Sequence, residues 1–412
     1  MSWQNRLSCL LTHELPFNLD LLPPHACLVG GAVRDALLNR QRDYLDLDFV
    51  VPQLAVETAR EIAKTCHAGF VILDQQRQIA RIVFTDATVD FALQEGETVE
   101  SDLHRRDFTI NAIAYNPHTS ELIDPLNGLK DLEQGILRMV SQSNLEDDPL
   151  RLLRAYRQAA QLHLTIEPTT RSTIALLAPL LSQVAAERVQ TELGYLLSHP
   201  QGTYWLIEAW KDGILQPWLK NITSEKVQLL TQIEPSAQAL QKHFNRQFDR
   251  NQDLILAKLT CLVSGDSQVA ELELMDLKYS RAEIRTVTTA LKYLPELQQT
   301  PHLMSLREQY FFFLHCGKVF PIIAILAMAH GVEQKSLFPI IKRYLDPSDP
   351  VAHPQCLVTG NDLMRDLNLN PSPLIGQLLT EIQIAQIEQK IGTVDEALNF
   401  AQDLANSRQD KF

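Results

Sequence analysis

Residues 28–51 read LVGGAVRDALLNRQRDYLDLDFVV, and the parsing of this stretch decides the fold. An apolar run ends on Gly30 and Gly31, the helix-like segment AVRDALLN follows, and a second apolar run carries Asp46 and Asp48 one residue apart. Side chains alternate between the two faces of a strand, so both carboxylates point to one side. Two like charges held that close repel, and a cation between them is the physical reason for such a pair.

Three readings compete for this stretch. A dinucleotide site needs GxGxxG after the first strand, and GGAVRD lacks the later glycines. A second reading is a tight strand-to-helix turn followed by a solvated acidic strand. The third joins the parts: Gly30 and Gly31 let backbone N–H groups approach a triphosphate, Arg34 pairs with phosphate, and Asp46 and Asp48 hold Mg²⁺.

Outward from this stretch, the chain up to about residue 140 alternates short strands with helices. ACLVGG (26–31) and YLDLDFVV (44–51) read as strands and LAVETAREIAKTC (54–66) as a helix; QIARIVFT (78–85) and ATVDFAL (87–93) read as strands about a turn at Asp86. Beyond residue 145 strand signals nearly vanish and helix follows helix, until three prolines in YLDPSDPVAHPQ (344–355) break the pattern. The expected organisation is a head over 1–140, a helical neck over 141–200, a helical body over 201–345 and a helical tail over 346–412.

At 412 residues with 45% hydrophobic content and 15 glycines, the chain is neither disordered nor of low complexity. Its formal net charge of −13 argues against nonspecific coating of nucleic acid, so an RNA partner must rest on particular arginines. The six cysteines, scattered without a CxxC pair, read as free thiols of a reducing compartment. The N-terminal stretch lacks the basic start and cleavage site of a secretory signal, and the apolar run VFPIIAILAMA (319–329) is too short to span a bilayer. A soluble, cytoplasmic protein is expected, with no membrane partner.

Two further segments carry chemistry. RRDFTINA (105–112) opens with three charges, after which Phe108, Ile110 and Ala112 alternate with Thr109 and Asn111; the segment is expected to be tied to a core while its charges face a site. In LEDDPLRLLRAYR (145–157), Asp148 before Pro149 makes a good helix start, and Arg151, Arg154 and Arg157 recur every three residues as one basic stripe. Leu152, Leu153, Tyr156 and Ala160 are left to pack elsewhere. An N-cap with a charged helix face accounts for this segment by itself. A carboxylate only accepts hydrogen bonds and a guanidinium only donates them, so Asp148 with Arg151 also matches the amine and ring nitrogen of cytosine or adenine. Uracil would leave buried groups unpaired, at about 1 to 3 kcal/mol each.

In chain order, LVGGAVRD…LDLD, DLHRRDFTINAIAY (102–115), DPLNGLKDL (124–132) and DDPLRLLRAYRQAAQL (147–162) resemble the motifs of class II tRNA nucleotidyltransferases and bacterial poly(A) polymerases, members of the DNA polymerase β nucleotidyltransferase superfamily. The likeness is close over residues 26–170 and looser beyond. It implies an α+β fold: a small polymerase-β-like nucleotidyltransferase head, a mixed sheet with helices, followed by an all-α neck, body and tail. It also implies a two-metal attack of a tRNA 3′-hydroxyl on the α-phosphate of a nucleoside triphosphate, with Mg²⁺ on Asp46 and Asp48 and Asp90 as a third acid. Arg106, Asp107 and Asn111 would contact ribose and phosphates. Asp148 and Arg151 would serve as an amino-acid template for CTP and possible ATP selection, with Arg154 and Arg157 completing the nucleotide-binding set. Two departures stand out: Asp147-Asp148 replaces the usual Glu-Asp, and Gln158 replaces a phenylalanine.

Within that family, the eleven residues FALQEGETVES between Asp90 and Asp102 are fewer than many relatives carry. The resemblance links the longer loop to the final A addition, so a CC-adding enzyme is favoured, with a separate A-adding enzyme acting on the same tRNA 3′ end. A complete CCA-adding or A-adding enzyme is the alternative. A poly(A) polymerase would be expected to carry a basic cluster that CHAGFVILD (66–74) lacks, and a non-catalytic RNA-binding relic would be expected to lose its acids. Lys242, Arg246, Arg250 and Lys258 are candidate tRNA phosphate contacts. VTGNDLMRDLNLNPSPLIGQLL (358–379) is similar to the RNA-holding tail of the class.

Overall fold

Alternation in the LDLDFVV run places Leu47 and Phe49 in the core and Asp46 and Asp48 on the opposite face of a central strand. In this computed structural model, which describes residues 7, 15–40, 44–244, 248, 251–299 and 304–409, that strand is part of a seven-stranded mixed sheet. The strands are β1 (Cys27–Val29), β2 (Leu45–Val51), β3 (Gly69–Asp74), β4 (Ile79–Val83), β5 (Ala87–Leu93), β6 (Ala114–Asn116) and β7 (Glu121–Ile123). Their spatial order is β3-β4-β5-β2-β1-β6-β7, with β2 parallel to β5 and the other neighbours antiparallel. Phe49 stacks on Phe91 at 5.4 Å between ring centroids and, with Val89, builds the buried face.

Three strands lie outside the sequence expectation. β3 lacks alternation, since Val71, Ile72 and Leu73 are all exposed, and β6 and β7 are three residues each, below the length at which a period shows. Within the stretch expected to be helical, Thr165–Ile166 also forms a short strand, paired in parallel with Ile136–Leu137 of the head.

The helices of this part are α1 (Gly31–Leu37), α2 (Ala55–Thr65), α3 (Val99–Leu103), α4 (Gly128–Gln134), α5 (Gln142–Asp147), α6 (Leu150–Leu162), α7 (Pro168–Leu177), α8 (Ala186–Ser198) and α9 (Gly202–Lys211). On α6, Leu152, Leu153, Tyr156 and Ala160 are buried against α8 and α9, and Arg151, Arg154 and Arg157 stay partly exposed every third residue.

The chain divides into two compact units, Met1–Trp218 and Leu219–Phe412. The described part of the second is helical, with the fully apolar Phe320–Ala329 at its centre. By length and composition Leu306–Ala329 is apolar enough to cross a membrane. Gly317, at φ +48°, breaks it into Leu306–Cys316 and Phe320–Ala329, and Phe320–Ala327 are buried inside the unit. The last helices, Gly360–Asp366, Pro373–Ile387 and Val394–Gln409, enclose a core of their own around Leu363, Leu378, Ile382 and Ala397.

One expectation about side chains changes here. Lys258 is 3% exposed and its ammonium pairs with Glu234 at 2.5 Å, so it belongs to the interior and not to an RNA-facing surface. Arg246 and Arg250 lie outside the described residues, as does Cys9; the other five cysteines are free thiols.

Candidate active site

The strand register brings the acids together. Asp48 stands beside Asp90 across the parallel β2–β5 pair, and Asp46 stands beside Thr88, whose hydroxyl donates to the Asp46 carboxylate at 2.7 Å. Asp46 is exposed and Asp48 partly buried. Burial, followed by repulsion from Asp46, raises the Asp48 pKa to about 6, against the attraction of Arg106. Asp90 is held differently, in a two-bond fork with Arg81 of β4 at 2.7 and 2.8 Å.

Gly30 follows β1 and lies against this cluster. Its φ of +70° favours glycine, and a Cβ there would lie 3.4 Å from Asp48 Oδ2 and 3.2 Å from Arg106 Nη1. Gly31 is the first residue of α1. Arg106 donates to Asp102 at 3.1 Å, yet its Nε is buried without a partner. An unmatched donor, a side-chain-free turn and two carboxylates of hard oxygen suit a triphosphate with Mg²⁺, which takes one or two carboxylates and fills its shell with phosphate and water. Among the described residues no group of three or more His, Cys, Asp or Glu side chains could hold a metal. Asp46 and Asp48 are the candidate ligands, and both carboxylate oxygens of the neighbouring Asp90 accept from Arg81.

The second motif departs from alternation: Thr109–Asn111 is a 3₁₀ turn, and Phe108, Thr109, Ile110, Asn111 and Ala112 are all buried. The third motif braces it. Asp131 accepts from the Thr109 hydroxyl at 2.7 Å, and the Asp124 carboxylate accepts from the N–H groups of Gly128 and Leu129 at 2.7 and 2.9 Å. A Cβ on Gly128 would lie 2.2 Å from the Thr109 carbonyl oxygen, which explains the glycine.

Asp107 and Asn111 face inward. Asn111 accepts from Arg34 Nη1 at 2.6 Å and donates to Asp107 and Gln158, each at 2.9 Å. Burial alone would raise the Asp107 pKa, but Arg154, the Asn111 amide and the Phe108 N–H hold it below the usual carboxylate range. Arg34 also forks onto Asp35 at 2.9 Å. Arg154 bridges Asp107 and Glu192, at 3.3 and 3.4 Å, and Arg157 joins Glu192 at 2.5 Å.

Asp148 lies between α5 and α6, its Oδ1 accepting from the Leu150 N–H at 3.3 Å, and Arg151 donates to the carbonyls of Arg105 and Asn144 at 3.0 and 2.9 Å. Both line a cleft of about 600 Å³ together with Arg105, Arg106, Arg77 and Arg188. Arg105 pairs with Glu95 at 2.8 Å at its edge. Sequence reasoning passes over Arg188 and Glu192, which lie on α8 in AERVQTEL, a segment whose only visible signal is helical periodicity.

The family model for the poly(A) polymerase head domain matches residues 26–138, and that for tRNA nucleotidyltransferase domain 2 matches residues 247–401. A CC-adding tRNA nucleotidyltransferase of Synechocystis sp. is 50% identical over 406 residues, covering 96% of this chain and 98% of that one. A CC-adding tRNA nucleotidyltransferase of Geobacter sulfurreducens is 29% identical, with 96% of each chain covered. In fold the chain is similar to a CCA-adding enzyme solved in complex with CTP, at a TM-score of 0.72 and 23% identity over 93% of this chain and 90% of that one. Sequence likeness that runs nearly end to end, on a shared architecture, makes this chain an enzyme that belongs to the family of tRNA nucleotidyltransferases and poly(A) polymerases.

Proposed function

We propose that this chain adds the two cytidines of the 3′-terminal CCA to tRNA without a nucleic-acid template. The observation that carries the reading is the meeting of Asp148, Arg151 and Arg106 in one cleft of about 600 Å³. The Synechocystis relative of that name supports the choice of CC. So does the short link from β5 to α3, tied by the Glu95 N–H to Asp102 at 3.1 Å and by Thr98 capping Ser101 at 3.3 Å.

Asp148 accepts the cytosine amine, keeping lone pairs beyond those used by Leu150 and Arg188. Arg151 donates to cytosine N3; its two protein bonds both use Nη1, which leaves Nη2 for the base. The Gly30–Gly31 turn, Arg34 and Arg106 hold the triphosphate. Asp107, Asn111, Arg154 and Arg157 support the ribose and base side of the pocket. The tRNA 3′-oxygen bonds to the α-phosphorus as the bond to the β-phosphate breaks and pyrophosphate leaves. Asp46 and Asp48 would hold the Mg²⁺ ions, which would supply charge stabilisation and activation of the 3′-hydroxyl, and Asp90 would be the third acid of the site. Residues 1–140 act as the catalytic head, 141–200 as the neck that carries the base-reading helix, 201–345 as the RNA-binding body and 346–412 as the RNA-binding tail, with Lys242 a phosphate contact of the body. The enzyme acts in the cytoplasm, and a separate A-adding enzyme completes the tRNA.

Primer extension with Mg²⁺ tests this, offering tRNA lacking CCA, tRNA ending in CC and an unstructured RNA, each with CTP, ATP or both. Addition of CC to the first and nothing to the others is the expected result. Addition of A to the CC-ended tRNA identifies an A-adding or complete CCA-adding enzyme, and tailing of the unstructured RNA a poly(A) polymerase.

A further inference from the structure

Gln158 is 2% exposed on α6, one turn beyond Arg154, where an interior helix position would ordinarily take an apolar side chain. Its amide is used on both sides. Oε1 accepts from Asn111 Nδ2 at 2.9 Å, and Nε2 donates to Asp107 Oδ2 at 3.4 Å, the oxygen that Arg154 also reaches. With Gln158 in place both N–H groups of the Asn111 amide are donated, and its oxygen accepts from Arg34 Nη1 at 2.6 Å.

An amide flanked by a carboxylate and a guanidinium has one acceptable orientation, and Gln158 accepts the N–H that this orientation leaves over, so that the arrangement carries no unmatched buried donor. Without Gln158 one Asn111 N–H is left buried and unpaired, and rotating Asn111 to relieve that would set its nitrogen against Arg34.

We infer that Gln158 is a positioning residue that fixes, through Asn111, the guanidinium of Arg34, so that the helix carrying Arg151 and Arg154 and the Arg34 side of the nucleotide site are set together. The inference rests on the proposed role of Arg34 in holding the triphosphate. Burial of Gln158 and Asn111 makes the link intramolecular and dry, so removal of either end is felt at the other.

The test is a double-mutant cycle on CTP binding to the full chain with Mg²⁺ and no RNA, using Gln158→Met, which keeps the length and loses both bonds, and Arg34→Lys. Coupled residues give, for example, about a fivefold loss for Gln158→Met, about tenfold for Arg34→Lys and still about tenfold for the pair. Multiplication to about fiftyfold in the pair overturns the inference. So does unchanged CTP affinity in Gln158→Met with only a lowered Tm, the mark of a purely structural residue. Gln158→Asn, which keeps the amide but shortens the arm, enters the cycle if Gln158→Met does not fold. If Arg34→Lys alone leaves CTP binding intact, the phosphate role of Arg34 fails. Gln158→Met then reports separately, through CTP affinity, whether the amide positions any part of the site.

Discussion

Asp148 receives the Arg188 guanidinium at 2.9 Å across forty residues of chain, so the carboxylate proposed to read the base is held by a helix outside the sequence motifs. The contact fixes the direction of one carboxylate oxygen of the group proposed to accept a cytosine amine. Arg188→Ala is expected to raise the KM for CTP about fivefold and to narrow the preference for C over U, and Arg188→Lys to recover part of both. Steady-state kinetics with CTP and UTP checks this; unchanged values for both nucleotides would mark the pair as an idle surface contact.

Asp48 carries a pH signature. Its pKa of about 6 in the folded chain lies above the ordinary aspartate value of 3.8, so the folded state binds the proton more tightly than the unfolded one. The neutral carboxyl therefore favours the metal-free fold below about pH 4, and this contribution is lost as pH rises through 6. Asp48→Asn should stabilise the metal-free protein at pH 7 by about 2 kcal/mol and change little at pH 4. Denaturant melts at the two pH values, in EDTA, decide it, and equal shifts at both would contradict the assignment. The same substitution should abolish nucleotide addition.

Gly128 predicts a structural lesion with a functional consequence. A methyl group 2.2 Å from the Thr109 carbonyl forces α4 away from the buried turn, so Gly128→Ala should cost about 3 kcal/mol. Gly194, inside α8 with nothing within 4 Å of its position for a Cβ, is the control: Gly194→Ala should stabilise by about 0.5 to 1 kcal/mol. Thermal unfolding of the two variants should move in opposite directions.

Asp90 can act on the reaction only if Arg81 yields its carboxylate or shares it. Asp90→Asn, which keeps an oxygen for Arg81, should lower kcat about tenfold to a hundredfold with the KM for CTP nearly unchanged. A kcat within twofold of the parent would make the Arg81–Asp90 pair a brace between β4 and β5 and nothing more.

Much of the site is legible in short windows of the chain. A period of two places Asp46 and Asp48 on one face, and a spacing of three sets Arg151, Arg154 and Arg157 along one side of α6, because each follows from the geometry of its own element. The head of strands and helices and the helical remainder follow for the same reason. Where strands were three residues long, as in β6 and β7, or apolar on both faces, as in β3, no local period existed to read.

The partners of those residues belong to the tertiary structure alone. That β2 lies parallel to β5, that Arg81 claims Asp90, that Arg188 meets Asp148, and that Gln158 closes the amide chain from Arg34 through Asn111 all join residues nine to seventy-seven positions apart. Such contacts depend on which faces the whole core brings together, and a buried donor or acceptor takes whichever partner that packing presents. Lys258 shows the same rule: a lysine in a mixed-charge segment reads as surface, and only the fold puts Glu234 beside it and water out of reach.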